Sequence, residues 1–480
     1  MKTLSNFIGG EYCPPISGKY LDSFNPSTGK VHCLVPDSDN ADVERAVASA
    51  HTAFAKWRKT TRKQRAAILN RVADLLEERI DEFALAESQD QGKPLSLAKD
   101  IEMPRAIDNF RFFAACLLNQ GAHAYEMDGE GINYTNRLPV GVTGLISPWN
   151  LPLYLITWKI APSLAVGNTA VCKPSELTSL TAYMLAEVLN EAGVPPGVCN
   201  IVLGTGAKAG AALTAHEKVP LISFTGGTAT ASSIASTAAP LFKKVGLELG
   251  GKNPNIIFAD ADFDKCIPTT VRSSFQNQGE ICLCGSRILV EESVYDIFVE
   301  RFLVAVKDFK VGDPLNEGTN MGALVSAEHL NKVRSYIQMA VDSGGKVLCG
   351  GDSPKLDGEL QGGYFLNPTV VTGLNDDCRV LQEEIFGPVV TISTFKTMDE
   401  AIAKANNVRY GLSASIWTQD ISKAHRTAQQ LDTATVWINT WMRRDLRVPF
   451  GGMKDSGLGR EGGEFSLDFY SELKNICVHF

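Results

Sequence analysis

No stretch of the 480 residues stays apolar for the roughly 20 positions that a membrane-crossing helix needs. The opening MKTLSNFIGG has neither an apolar signal core nor an Arg-rich amphipathic stretch. The expected location is the cytoplasm, with no membrane partner. Positive charge is in deficit: 46 Lys and Arg stand against 54 Asp and Glu, a net charge of −8. A nucleic-acid partner, which needs a basic face, is not expected. The 11 cysteines show no paired spacing. Only Cys282 and Cys284 lie close together, and C-x-C is not the C-x-x-C of redox and zinc sites. The cysteines read as reduced thiols, mostly small core residues, and no metal site is expected. Internal repeats and disordered tracts are absent as well. What is present, 44% hydrophobic and 21% charged residues, is the composition of a soluble globular protein. The length suggests about three domains or subdomains.

The chain opens with the turn-rich segments FIGGEY and FNPSTG. Helical spacing then predicts Ala41–Trp57, with Val43, Val47, Ala50 and Phe54 on one face, and Gln64–Ala86, with Ile68, Leu69, Val72, Leu76, Ile80 and Phe83. Both faces read as core. From Val140 the apolar runs GVTGLIS, NTAVCK, CNIVLG and LISFTG read as buried strands. Helical stretches near Leu153–Ala165, Leu180–Ala192, Lys208–His216 and Ala229–Ala238 separate them. Short strands alternating with helices predict a parallel sheet covered on both faces. In such a sheet ligands bind at the edge formed by the carboxyl ends of the strands. A second α/β region starts near Gly251, with strands SRILVE and PTVVTG and a helix over Tyr295–Phe309. The polar segment Gly121–Arg137 is expected to project as a hairpin, and the tail LKNICVHF alternates like an edge strand. Both could serve subunit contacts.

Three segments carry side chains suited to chemistry. In NQGEICLCGSR, from Asn277 to Arg287, glycine and polar residues surround two thiols, so a loop is expected rather than a buried strand. A loop thiol is either incidental or a nucleophile. In GLELGGK, Glu248 is one carboxylate in an apolar run. Burial would raise its pKa and suit it to general-base work, unless it pairs with a lysine such as Lys252. In ISPWNLPLYLITWK, Asn150 follows a strand and precedes an apolar helix, with Pro148 and Pro152 restricting the turn. It is either a turn or cap residue or a rigid donor to a developing oxyanion.

Together these segments resemble the aldehyde dehydrogenase superfamily. The matches are SPWN at 147–150, KPSE at 173–176, FTGG at 224–227, ELGGK at 248–252, GEIC at 279–282, EEIFGP at 383–388 and PFGGMKDSGLGRE at 449–461. They stand in the family's order and, with the N-terminal helices, cover essentially the whole chain. The resemblance implies an α/β fold. A parallel-sheet NAD-binding domain would come from 1–120 and 139–250, and an α/β catalytic domain from 251–447. Oligomerisation segments at 121–138 and 462–480 would build a homodimer or homotetramer. It implies Cys282 as the nucleophile, with the Asn150 amide and the Cys282 backbone N–H holding the oxyanion. Glu248 would activate the water that hydrolyses the thioester. Lys173 and Glu176 would reach the adenosine ribose of NAD, and a carboxylate at Glu176 would repel a 2′-phosphate. Glu384 and Phe386 would hold the nicotinamide ribose and ring, and Trp149 and Gly227 would line the site. Two features depart from common patterns. GTGAKAG at 204–210 is not G-x-G-x-x-G, and Ala231 stands where a glycine near the start of a helix was expected. Cys284 is an extra thiol, for packing or as a redox partner of Cys282.

Residues lining the substrate pocket are expected from IEMPR, NLPLYLITWK and NTWMRRDLRVPFGG: Arg105, Trp158, Arg444 and Phe450. The two arginines would invite a carboxylate, unless they face solvent or pair with Asp100 and Asp445. The combination of IEMPR, NFRFFA, SSFQNQGEICLC and the C-terminal NTWMRRDLRVPFGGMKDSGLGREGGEFSLDFY resembles the 2-aminomuconic and 2-hydroxymuconic semialdehyde dehydrogenases. Those act in the kynurenine route of tryptophan breakdown and in other aromatic catabolism. The implied substrate is a small aldehyde carrying a carboxylate beside an amino or hydroxyl group. An apolar aldehyde such as retinal, in a tunnel lined by Tyr154, Leu155 and Trp158, is the alternative. A CoA-acylating enzyme would have no use for Glu248, and a non-catalytic relative would not need Cys282, Asn150, Glu248 and Lys173 together.

Overall fold

A computed structural model describes residues 2–480. Between Val140 and Gly250 the expected alternation forms. Strands Lys244–Glu248, Leu221–Thr225, Val142–Ile146, Thr169–Lys173 and Cys199–Ile201 pair in parallel in that spatial order. Val142–Ile146 and Thr169–Lys173 are buried at every position, which is why they read as unbroken apolar runs rather than alternating ones. Helices Pro152–Val166, Leu180–Glu191 and Thr228–Ala238 connect the strands. The stretch expected as one helix over Lys208–His216 begins as a wider π-type turn, Gly206–Gly210, and becomes α-helical only over Ala211–Ala215. Short antiparallel strands extend this sheet on both sides. Asn6–Ile8 and Glu11–Cys13 lie at one edge, and Gly457–Leu458 pairs with Leu247 and Glu248 at the other.

The helix expected over Gln64–Ala86 is two helices, Arg62–Glu78 and Ile80–Gln91. Arg79 leaves helical geometry (φ −112°, ψ 20°), and its guanidinium reaches Glu82 at 2.8 Å and Glu187 at 3.1 Å. No Pro or Gly marks this break. The apolar stripe runs on through it, because Leu69, Val72, Leu76 and Phe83 enter one core cluster.

The second α/β region carries seven strands in the order Lys346–Cys349, Thr369–Thr372, Val389–Phe395, Arg287–Glu291, Pro254–Ile257, Ser413–Trp417 and Thr435–Ile438. All pairings are parallel except that of the first two. The segment Gly121–Arg137 does contain a hairpin, Ala124–Glu126 with Gly131–Pro139. The C-terminal strand Ser471–His479 adds to it antiparallel, from Ser471 opposite Pro139 to His479 opposite Gly131. That last strand lies at one edge of the three-stranded sheet, as its alternation suggests. No described helix is long and apolar enough to cross a membrane.

The two large sheets meet through the ends of their strands. Ile146, Lys173, Thr225 and Glu248 end strands of the first sheet. Cys282 and Glu384 lie in loops that lead into strands Arg287–Glu291 and Val389–Phe395 of the second. Carboxyl ends of one sheet thus face amino ends of the other.

Candidate active site

A cavity of about 260 Å³ lies at this junction, walled by Trp149, Asn150, Glu248, Cys282, Glu384 and Phe386, with Leu155, Gly227, His329 and Lys332. It shares Pro148, Trp149, Thr225, Gly226 and Gly227 with a larger cleft of about 690 Å³, which reaches Lys173 and Glu176. Residues expected from six separate motifs therefore line two connected spaces.

Cys282 follows a turn in which Asn277, Gln278 and Gly279 have φ of +52°, +59° and +71°. Two of these are not glycine, so the turn stores strain that its surroundings must hold. At Gly279 a Cβ would fall 2.3 Å from the Gly387 carbonyl oxygen, so only glycine fits there. Asn253 Nδ2 donates to the carbonyls of Cys282 at 2.7 Å and Cys284 at 2.9 Å, which fixes the loop. Cys284 is buried among Ile281, Leu283, Leu412, Trp437 and Trp441, the environment of a packing residue. Burial pushes the Cys282 thiol up to about 12, with the carboxylates of Glu384 and Glu248 adding to the shift.

Asn150 is buried, and its Nδ2 donates to the Glu280 carbonyl at 2.8 Å. That uses one amide hydrogen and leaves a second. Glu248 does not pair with Lys252: its Oε2 and the Lys252 Nζ are both buried without a hydrogen-bond partner. Burial holds the Glu248 carboxyl well above the ordinary range, and the nearby Glu461 raises it further. Arg444, Arg460 and Lys159 act the other way. Glu384 lies against the glycines after Glu248, accepting from the Gly251 N–H at 3.0 Å. A Cβ on Gly250 would come within 1.9 Å of its Oε2.

Phe386 has φ of +62° and meets Trp149 edge-on, with ring centroids 5.2 Å apart. His329 completes the wall. Its Nε2 donates to the Phe386 carbonyl at 2.6 Å, its ring lies 5.0 Å from that of Trp149, and burial lowers its pKa to about 4. Neither His329 nor Lys332 was singled out from sequence. A histidine and a lysine three residues apart on helix Ala327–Asp342 look there like an ordinary exposed face.

In the larger cleft Lys173 Nζ donates to Glu176 Oε2 at 2.9 Å, and burial lowers the lysine pKa. Helix Thr228–Ala238 starts at Gly227 with no side-chain cap, and Ala229, Thr230 and Ser233 line the cleft. Uncapped N–H groups at a helix start suit a phosphate, and Lys173 with Glu176 offers a donor and an acceptor to ribose hydroxyls. The residues present thus fit a dinucleotide. Ala231 is buried in the core cluster behind the cleft and does not itself line it, so the missing glycine leaves the wall unchanged.

Arg105, Arg444, Trp158 and Phe450 gather around Tyr154. The Arg444 guanidinium lies 4.2 Å from the centroid of Phe450, 5.4 Å from that of Trp158 and 5.7 Å from that of Tyr154, and it donates to the Tyr154 hydroxyl. Arg105 covers the Tyr154 ring at 5.7 Å. Asp445 pairs with Arg447 instead, and among the described residues neither Arg105 nor Arg444 has a carboxylate partner. Burial, with Arg444 close by, lowers the Arg105 pKa. None of these four residues walls either cavity, and Trp158 is 2% exposed with its Nε1 donating to Glu461 at 2.7 Å, so it backs Arg444. Phe450 packs against the same apolar cluster as Cys282, and the Arg444 charge is close enough to the thiol to lower its pKa against the effect of burial.

Only one His, Cys and Asp cluster stands within ligating distance among the described residues, His32 with Cys33 and Asp90. Its carboxylate is already used, by His32 at 2.9 Å and by the Leu180 N–H at 2.9 Å.

The sequence model of the aldehyde dehydrogenase family matches residues 13–476. The 2-aminomuconic semialdehyde dehydrogenase of Danio rerio is 54% identical over 478 residues, covering 99% of this chain and 98% of that one. The 2-hydroxymuconic semialdehyde dehydrogenase of a Pseudomonas strain is 49% identical over 484 residues, covering 100% of both. An aldehyde dehydrogenase of Bacillus cereus, solved as its NAD+ complex, superposes with a TM-score of 0.97 at 38% identity, covering 100% of this chain and 97% of that one.

Proposed function

Since this chain belongs to the aldehyde dehydrogenase family, we propose that it oxidises a muconic semialdehyde, carrying a carboxylate beside a 2-amino or 2-hydroxyl group, with NAD as the acceptor. The observation that carries the substrate assignment is the pair of guanidiniums, Arg105 and Arg444, set on Tyr154 without a carboxylate of their own. Two unmatched, partly buried positive charges, one of them felt by the Cys282 thiol, call for an anion on the ligand. Of the three residues offered for an apolar tunnel, Leu155 lines the cavity, but the two aromatic ones are otherwise engaged, Tyr154 by Arg444 and Trp158 by Glu461. That disfavours retinal.

The Cys282 sulfur attacks the aldehyde carbon, and the resting thiol, held neutral by burial, gives up its proton as it does so. Glu248, whose buried carboxylate is a strengthened base, stands in the same cavity to take that proton. The Asn150 amide and the Cys282 N–H hold the oxyanion of the thiohemiacetal. Lys173, Glu176, Gly227 and Trp149 would hold NAD in the cleft, and Glu384 and Phe386 would hold its nicotinamide ribose and ring. When bound, NAD supplies the acceptor for the hydride lost as the thioester forms. Glu248 gives up the thiol proton to solvent and then draws one from water, whose oxygen cleaves the thioester to the carboxylate and frees the Cys282 sulfur, which is reprotonated to the resting thiol. Glu176 favours NAD over NADP by charge repulsion.

The chain divides, on this reading, into an NAD-binding domain (1–120 and 139–250), a catalytic domain (251–447) and oligomerisation segments (121–138 and 462–480). A second copy would bind along the sheet ending in Ser471–His479, where Tyr125, Tyr134, Leu473 and Val478 are exposed, giving a homodimer or homotetramer. Eleven free cysteines suit a reducing compartment, the cytoplasm. The test of substrate and cofactor is a panel of aldehydes with NAD and NADP, followed by absorbance of the reduced cofactor. A muconic semialdehyde should exceed both propanal and retinal in kcat/KM, and NAD should exceed NADP. Retinal as the better substrate would overturn the assignment.

A further inference from the structure

The end of helix Ile80–Gln91 is polar yet inaccessible: Glu87, Ser88, Asp90, Gln91 and Lys93 are each at most 1% exposed. Lys93 Nζ donates to Glu102 Oε2 at 2.6 Å and stands 3.6 Å from Glu87 Oε1. Its other donation is to the main-chain carbonyl of Asn150, at 2.9 Å. Beside it, Gln91 Nε2 donates to Glu280 Oε2 at 2.7 Å, two residues before the thiol. Buried ions of this kind stabilise a core no better than apolar side chains of equal volume, so stability alone does not account for them. What they do achieve is registration. Glu102 precedes helix Met103–Asn119, and Arg105 lies in the first turn of that helix. One ammonium therefore grips both the residue expected to steady the oxyanion and the root of the helix that presents a guanidinium to the substrate.

We propose that Lys93 is a positioning residue, which holds the Asn150 amide at a fixed place relative to Cys282 and to the Arg105 helix. It rests on the reading above of Asn150 as the oxyanion donor. Lys93 never touches substrate; it acts through the backbone of Asn150. Asn277 Nδ2 also donates to the Asn150 carbonyl, at 3.2 Å. Losing Lys93 should therefore loosen the amide rather than remove it.

The test is a double-mutant cycle in the full-length enzyme, with propanal and saturating NAD. Lys93→Met is combined with Glu102→Gln, which removes the carboxylate that Lys93 pairs with at 2.6 Å, while Glu87, 3.6 Å away, keeps its hydrogen bond from Thr181. Removing an oxyanion donor outright costs about 100-fold or more in kcat, so Asn150→Ala sets the upper limit. The Lys93 and Glu102 pair of changes should lower kcat by about tenfold while leaving the Kd for NAD unchanged. In the Asn150→Ala background it should lower kcat no further, because the residue it acts through is gone. A loss of equal size in both backgrounds, or a normal kcat with only a lower Tm, overturns the proposal. Should the paired variant not fold, Lys93→Arg, which keeps the charge but moves the donor, is carried through the same cycle and read the same way. Asn150→Ala alone with undiminished kcat would show instead that the oxyanion reading had failed, and the Lys93 role would fall with it.

Discussion

Replacing Arg444 by Met removes a charge while leaving a flexible chain to pack on Phe450. The guanidinium is clamped by three aromatic rings and the Tyr154 hydroxyl, and no carboxylate neutralises it. A charge-assisted hydrogen bond to a substrate carboxylate contributes about 1.5–3 kcal/mol. At about 1.4 kcal/mol per decade, kcat/KM for a muconic semialdehyde should fall roughly 10- to 100-fold. A part of any loss will be shared by all aldehydes, because Arg444 also favours the ionised forms of Glu248 and Cys282. The informative quantity is therefore the ratio of kcat/KM for the semialdehyde to that for propanal, in wild type and in Arg444→Met. The ratio should drop at least about tenfold, and Arg444→Lys, with charge but no planar fork, should fall between the two. An unchanged ratio would show that Arg444 does not read the carboxylate.

Cys282→Ser should abolish oxidation, by about 1000-fold or more, with Tm and NAD binding intact; residual turnover near wild type would remove the covalent route. The Cys282 thiol, held up to about 12, should be alkylated by iodoacetamide at a rate still climbing at pH 10. Glu384→Gln removes one of the carboxylates that raise it, so alkylation at pH 8 should become several-fold faster, and a slower reaction would contradict the electrostatic account. Lys252 is wholly buried, has no partner for Nζ, and is lowered to about 7 by burial and by Arg287. Its folded pKa lies below the unfolded one, so the unfolded chain binds more protons between about 7 and 10 and the lysine destabilises most at or below pH 7. Lys252→Met should raise Tm at pH 6 by several degrees and by less at pH 9; a gain that grew with pH would be the wrong sign.

Much of the site was legible because each element ends where its chemistry begins. Asn150, Lys173 and Glu248 follow or end apolar runs that could only be buried strands, and a polar group at the end of such a run is forced to the sheet edge. Cys282 stood out for the opposite reason, a thiol among glycine and polar residues. Arg79 was not legible as a helix break, since nothing in its local sequence forbids a helix and two glutamates, one of them 108 positions away, draw it out. His329 was missed because a lone histidine on a polar helix face carries no signal until Phe386 and Trp149 close over it.

The order of hydrophobic and polar residues alone determined the strands, the helices between them, and the family motifs in sequence. Burial of apolar area depends only on local periodicity, which a linear chain displays. The tertiary structure alone decided which charges are left unmatched. Arg444 has Asp445 as its chain neighbour yet is free of it. Lys93 lies 57 residues from the carbonyl it holds. Ion pairs and hydrogen bonds act over a few ångströms in space, and nothing in the one-dimensional pattern reports which distant residues come within that range.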